Sequence, residues 1–144
     1  MVTADRIAET LGRPRFLKRK GVTLEELRAQ LQTGLPYSAL EAVASAFEIR
    51  TADLVAVLHV AARTLARRKR EKRLRADESD RLFRLGRIAT IAEDVLGSRE
   101  KATRWLHQPN RALGNAPPLR QLDTELGARQ VEDILLRIAH GVYS

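Results

Sequence analysis

Residues 51–70 read Thr51-Ala52-Asp53-Leu54-Val55-Ala56-Val57-Leu58-His59-Val60-Ala61-Ala62-Arg63-Thr64-Leu65-Ala66-Arg67-Arg68-Lys69-Arg70. Thr51 is the expected cap of a short helix over roughly 52–58. A tight turn at His59 and Val60 then leads into a second helix over roughly 61–73 that is crowded with arginine. Two short helices broken by such a turn suit a helix-turn-helix. At about 100° per residue, Ala61, Ala62 and Leu65 fall on one side and Arg63, Arg67 and Arg70 on the other, with Thr64 and Arg68 flanking. The apolar side is expected to dock on the preceding helix and leave a ridge of guanidinium groups facing outward. Arginine reads guanine bidentately in the major groove and also neutralises phosphates. Arg63, Thr64, Arg67, Arg68 and Arg70 are therefore the candidate DNA-binding set, with a solvated arginine helix as the competing reading. Two positions depart from the usual motif. His59 stands where a left-handed turn residue favours glycine, and Ala61 stands where a Ser or Thr would cap.

Helical signals continue on both sides. Upstream, Thr23 and Glu26 have capping-box spacing, with Leu24, Leu27 and Leu31 on one face and Gly34-Leu35-Pro36 as a stop. Ser38 opens a helix that turns Leu40, Val43, Ala44 and Phe47 inward. Downstream, a long helix near 78–96 begins at Asp77 and carries Leu82, Leu85, Ala89, Ala92 and Leu96 at helical spacing; Gly97 ends it. Ser98 caps a helix through Leu106. Residues 108–118 hold three of the five prolines and read as a loop. A short helical turn over 119–122 and a last helix over roughly 125–139 follow, the latter with Val131, Ile134, Leu135 and Ile138 inward and Gly141 beyond. The reading is all-α: a basic leader over 1–20, read as a short helix followed by a flexible arm, a helix-turn-helix domain over 21–75, and a second helical half over 76–144.

Charge divides along the same line. The net charge is +8; residues 1–75 carry 16 Lys/Arg and 8 Asp/Glu, and residues 76–144 carry 10 of each, so the surplus (16 − 8 = 8 against 10 − 10 = 0) lies wholly in the first half. Such asymmetry points to a polyanion-facing half joined to a half built for something else. Apolar residues make up 44%, enough for a core, and aromatics only 4%, which favours helix over strand. The chain has no cysteine, which excludes disulfides, thiolate metal sites and a cysteine nucleophile and fits a reducing cytosol. It contains no apolar run near the ~20 residues of a membrane helix. No hydrophobic leader opens it, so secretion is not expected and a cytoplasmic location is.

Nothing in the pattern argues for catalysis, and no enzyme activity, cofactor or metal is expected. His59, His107 and His140 fall on separate elements without ligand spacing. No phosphate-cradling glycine loop or nucleophile elbow is present. The carboxylate pairs Glu93-Asp94 and Glu132-Asp133 sit on polar helix sides. Trp105, the single tryptophan, lies beside the proline-rich loop, where it is either an interface anchor or a core residue under that loop.

The C-terminal half carries a specific signature. Arg104-Trp105-Leu106, Pro109-Asn110, Ala112-Leu113-Gly114, Pro118-Leu119, Thr124, Gly127, Val131-Glu132, Ile138 and Gly141-Val142-Tyr143 resemble the toxin-binding domain of Xre/MbcA/ParS-like antitoxins. Arg63-Thr64-Leu65-Ala66-Arg67-Arg68 and Glu78-Ser79-Asp80-Arg81-Leu82 resemble the helix-turn-helix half of the same family, so the likeness spans about residues 24–144. The resemblance implies a RES-domain toxin encoded in the same operon as partner, one that degrades NAD or transfers ADP-ribose. It also implies occlusion of that toxin's active site, binding to operator DNA with repression of the operon, and a homodimer within a larger toxin–antitoxin assembly. On this basis Trp105, Asn110, Arg111, Arg137, His140, Val142, Tyr143 and Ser144 are the candidate toxin-binding residues. The final three are expected to insert toward the toxin's NAD pocket, against the alternative of a frayed terminus. A stand-alone transcriptional regulator and an oligomerising adaptor are the competing classes.

Overall fold

Short polar side chains start several of the helices by accepting backbone N–H groups that a first turn leaves unsatisfied. In the computed structural model, which describes residues 2–13 and 21–141, Thr3 accepts from Arg6, Thr23 from Glu26, Ser98 from Lys101 and Thr124 from Gly127. The helices are α1 (Ala4–Thr10), α2 (Leu24–Thr33), α3 (Tyr37–Ala46), α4 (Thr51–Leu58), α5 (Ala62–Glu71), α6 (Ala76–Leu96), α7 (Arg99–His107) and α8 (Glu125–Ala139). Two 3₁₀ segments, Arg111–Leu113 and Pro118–Asp123, lie between α7 and α8. No strand occurs among the described residues, only isolated bridges at Pro36–Arg73 and Asn110–Ala116. The all-α expectation holds.

α6 is the axis of the fold. Leu82, Leu85, Ile88, Ala89 and Ala92 are fully enclosed, and α1, α2, α4, α7 and α8 all pack against this one helix. α3 packs on α1, α5 on α4 and the Pro118–Asp123 segment on α4, α7 and α8. Val131 and Leu135 of α8, Leu106 of α7, and Leu119 and Leu122 of the second 3₁₀ segment fill the same apolar body as Leu27, Leu40, Val43, Phe47, Val57 and Leu58.

The short helix expected in the leader is α1, and several other local expectations are corrected. α1 is part of the core: Ile7, Ala8 and Leu11 are buried, and Asp5 accepts the backbone N–H groups of Gly21 (2.7 Å) and Val22 (3.1 Å). Leu24 does not join Leu27: it is 67% exposed at the first position of α2, whereas Leu27, a turn further on, is buried. Thr51 is the first residue of α4, not its cap, and Pro36 precedes α3 in the place expected of a hydroxyl. The 108–118 stretch is not a featureless loop, since it contains the Arg111–Leu113 turn and the start of the Pro118–Asp123 segment.

Candidate functional site: a cationic helix and a C-terminal groove

α4, the turn and α5 have the geometry that the arginine-rich stretch predicted. His59 adopts a left-handed conformation (φ 56, ψ 44), and Ala61 takes the extended N-cap position of α5 without a side-chain cap bond. Histidine tolerates that backbone region better than most residues. Its imidazole also hydrogen-bonds the Asp123 carbonyl, so the turn is tied to the C-terminal half. Arg81 Nη1 donates to the Leu58 carbonyl at 3.0 Å and holds the end of α4 from α6.

On α5, Arg63, Arg67 and Arg70 are exposed and make no hydrogen bond or ion pair with the described residues. Thr64 is half-buried beside them. Arg68 is elsewhere. It is only 3% exposed, and its guanidinium forms a two-point pair with Glu78, Nε to Oε1 at 2.7 Å and Nη2 to Oε2 at 3.0 Å. The hydrogen bond to the Glu78 carboxylate moves the guanidinium's pKa further above an already high ordinary value, against the opposing effect of burial. Arg68 is thus withdrawn from the outward ridge. Conversely, Ala61 and Ala62, expected inward, are exposed; Leu65 and Arg68 form the buried side of α5. Spacing allows Arg68, three positions after Leu65, to share its face, and the Glu78 carboxylate on the next helix draws it inward, while Ala61 and Ala62 stand at the open start of the helix. The remaining basic residues of the last turn, Lys69 and Arg70, complement the negative end of the helix dipole.

In the C-terminal half, Asn110 organises the connection after α7. Its Oδ1 accepts the Ala112 N–H at 3.0 Å, its carbonyl accepts from Leu113 (3.0 Å) and Asn115 (2.9 Å), and its own N–H donates to Ala116 at 3.1 Å. Left-handed Gly114 and Asn115 (φ 64 and 67) let the chain double back there. Arg111 opens the resulting turn and is exposed. Ala112 and Leu113 of that turn face Gln130, Asp133, Ile134 and Arg137 of α8 across a small groove. Arg137 is therefore brought to the turn that Arg111 begins, and exposed His140 caps the end of the same helix. Trp105 is half-buried against the core, intermediate between its two expected roles, and does not line that groove. Val142, Tyr143 and Ser144 lie outside the described residues.

Sequence reasoning missed Gln130, Asp133 and Ile134 as groove walls, and missed exposed Leu126 (71%) and Leu136 (43%) on α8. The two leucines carry a weak sequence signal, because both fall off the inward stripe of Val131 and Leu135. His59 and His107 act structurally: His107 Nε2 bonds the Phe47 carbonyl at 2.9 Å, as His59 bonds that of Asp123. No group of His, Cys, Asp or Glu among the described residues could hold a metal ion. No helix among them is long and apolar enough to cross a membrane.

Among the described residues the protein is all-helical, with a helix-turn-helix part ahead of a second helical part. Residues 26–87 match the Antitoxin Xre-like helix-turn-helix domain, and residues 92–141 match the Antitoxin Xre/MbcA/ParS C-terminal toxin-binding domain. Antitoxin Xre of Photorhabdus laumondii is 34% identical over 120 residues, covering 82% of this chain and 81% of that protein. Antitoxin Xre of Yersinia enterocolitica is 30% identical over 116 residues, with 79% and 78% covered. Antitoxin Xre of Pseudomonas putida is 46% identical over 80 residues, a stretch that spans 55% of this chain and 50% of that protein. The chain belongs to the Xre antitoxin family. Its two matched parts imply a toxin and DNA as partners.

Proposed function

We propose that this protein neutralises a RES-domain toxin encoded beside it, one that degrades NAD or transfers ADP-ribose, by covering the toxin's active site. The pair then binds operator DNA in the cytoplasm and represses its own operon, with the antitoxin acting as a homodimer in a larger assembly and performing no catalysis itself. Toxin contact falls to Arg111, Arg137 and His140 around the α8 groove, to Trp105 on α7, and to Val142, Tyr143 and Ser144 beyond α8. Asn110 contributes by shaping the turn that presents Arg111. DNA contact falls to Arg63, Arg67 and Arg70, with Thr64 between them.

The observation that carries this reading is the row of three arginines that pair with no described residue, directly after a left-handed helix-helix turn, in a chain whose other half matches a toxin-binding domain. Co-purification with the product of the adjacent gene, followed by an NAD-consumption assay with and without this chain, tests the toxin half. A neighbour that neither associates nor consumes NAD overturns it. For the DNA half, Arg63→Ala with Arg67→Ala should weaken binding to the gene's own promoter fragment and flatten its salt dependence, by ~1 in log–log slope for each phosphate no longer neutralised. Equal binding by the double variant would remove α5 as the reading helix.

A further inference from the structure

α5 has little apolar surface with which to fix its own roll. Leu65 is its single buried apolar residue, and Ala61 and Ala62, at the start of the helix, are exposed. One greasy contact holds a helix down without setting its rotation, because apolar attraction is non-directional. The second inward residue is Arg68, whose planar fork meets both carboxylate oxygens of Glu78. Such a two-point bond has a preferred plane and direction. Glu78 is itself anchored, since its Oε1 also accepts the Arg75 backbone N–H at 2.9 Å at the start of α6, the helix on which the core is built. Glu71 on α5 adds a bond to Arg68 Nη1 at 3.2 Å from the exposed edge.

We propose that Arg68 and Glu78 are positioning residues for nucleic-acid contact: their buried pair sets the roll of α5 and so aims Arg63, Arg67 and Arg70. The inference rests on the reading of α5 as the DNA-contacting helix. Geometry makes the demand plain. At a surface radius of ~6 Å, a roll of ~20° carries a side-chain base by ~2 Å. That shift breaks hydrogen bonds whose useful range is about half an ångström. Both partners lie in the two strings, Arg63–Arg68 and Glu78–Leu82, that carry the resemblance of this half.

The test is Glu78→Gln, because charge and position predict opposite signs. Removing a carboxylate from a DNA-binding half should tighten or preserve binding to a polyanion if charge alone matters. Loss of aim instead weakens binding to the promoter duplex by roughly tenfold, the equivalent of one base contact. Titrations run well below the midpoint of thermal unfolding, with folding checked by circular dichroism and by retained capture of the adjacent gene's product. A folded Glu78→Gln protein that binds the duplex as tightly as the parent, or more tightly, overturns the proposal. Should that variant not fold, Arg68→Met with Glu78→Leu replaces the pair by packed apolar groups, a change that often preserves stability, and the same two outcomes apply. Arg63→Ala with Arg67→Ala serves as the control. If that variant binds like the parent, the reading of α5 fails, whereas a loss there with no loss at Glu78 sinks only the positioning role.

Discussion

Local contacts explain particular letters of the C-terminal signature. Thr124 and Gly127 stand three apart because Thr124 Oγ1 accepts the Gly127 N–H at 2.9 Å and starts α8. Gly127 serves a second need. A methyl group built on it would sit 1.9 Å from the Gln121 carbonyl oxygen and 2.9 Å from its carbon, so the 3₁₀ segment runs against bare backbone. The obstructing atoms are main chain, which cannot swing away as a side-chain tip can. Gly127→Ala is therefore expected to destabilise the protein by about 1–3 kcal/mol or more, although alanine favours a helix interior. Thermal unfolding checks this, and a midpoint equal to or above the parent's would mean that the contact relaxes freely. Arg68 teaches the converse lesson at the same scale. Removing either partner of a buried ion pair strands a charge, a cost of roughly 3–5 kcal/mol, whereas replacing both is often neutral.

At the scale of elements, α1 shows how a short helix in a basic leader becomes structural. Its buried Ile7, Ala8 and Leu11 meet α6, and Thr10 Oγ1 lies 2.6 Å from Thr90 Oγ1 of that helix. Asp5 then gathers the returning chain through the backbone N–H groups of Gly21 and Val22, and these bonds lower its pKa below the ordinary 3.8, with Arg13 adding to the effect. A carboxylate with a lowered folded-state pKa contributes stability above its unfolded value and loses it as pH falls through the folded one. Urea midpoints of the parent and of Asp5→Asn should therefore differ at neutral pH and converge as the pH drops below 3.8. A gap that is constant across that range would mean the bonds to Asp5 do not depend on its charge. Legibility in the sequence follows from how local each cause is. Caps at Thr23 and Ser98, the stripe of α6, the span of α8 and the left-handed His59 are all set by residues within a turn of one another, and each was readable. The inward turn of Arg68 was not, because it depends on an acceptor in the next helix; nor was the docking of α1, whose apolar face is three residues in a strongly basic stretch. Of the candidate site, the arginine ridge was legible apart from Arg68, while the α8 groove exists only because Asn110 folds the connection back, through backbone bonds that no periodicity reports.

For the molecule as a whole, the two family matches meet inside a helix. One ends at residue 87 and the other begins at 92, both within α6 (Ala76–Leu96). That helix presents buried residues to both halves, and cross-links in each direction reinforce it. His59 of the turn reaches the Asp123 carbonyl, His107 of α7 reaches that of Phe47, Arg99 of α7 lies over the Phe47 ring at 5.9 Å, and Arg87 of α6 pairs with Glu132 of α8. Leu106, Leu119, Leu122, Val131 and Leu135 are all enclosed by this arrangement. Cutting the chain after residue 96 would expose the partners of these five side chains on α4 and α6, and burial of each such aliphatic side chain is worth about 1.5–3 kcal/mol. Their sum is comparable to the ~5–15 kcal/mol that separates a folded domain from its unfolded chain. The full protein should consequently unfold in urea as a single transition, with helix signal and Trp105 fluorescence superimposing. A fragment of residues 1–96 should have lost most of its cooperative transition and should bind a hydrophobic dye. If that fragment unfolds as sharply as the parent and at a similar midpoint, the halves are independent folding units, and the bonds at His59 and His107 are surface decoration instead of the joint between DNA-reading and toxin-binding parts.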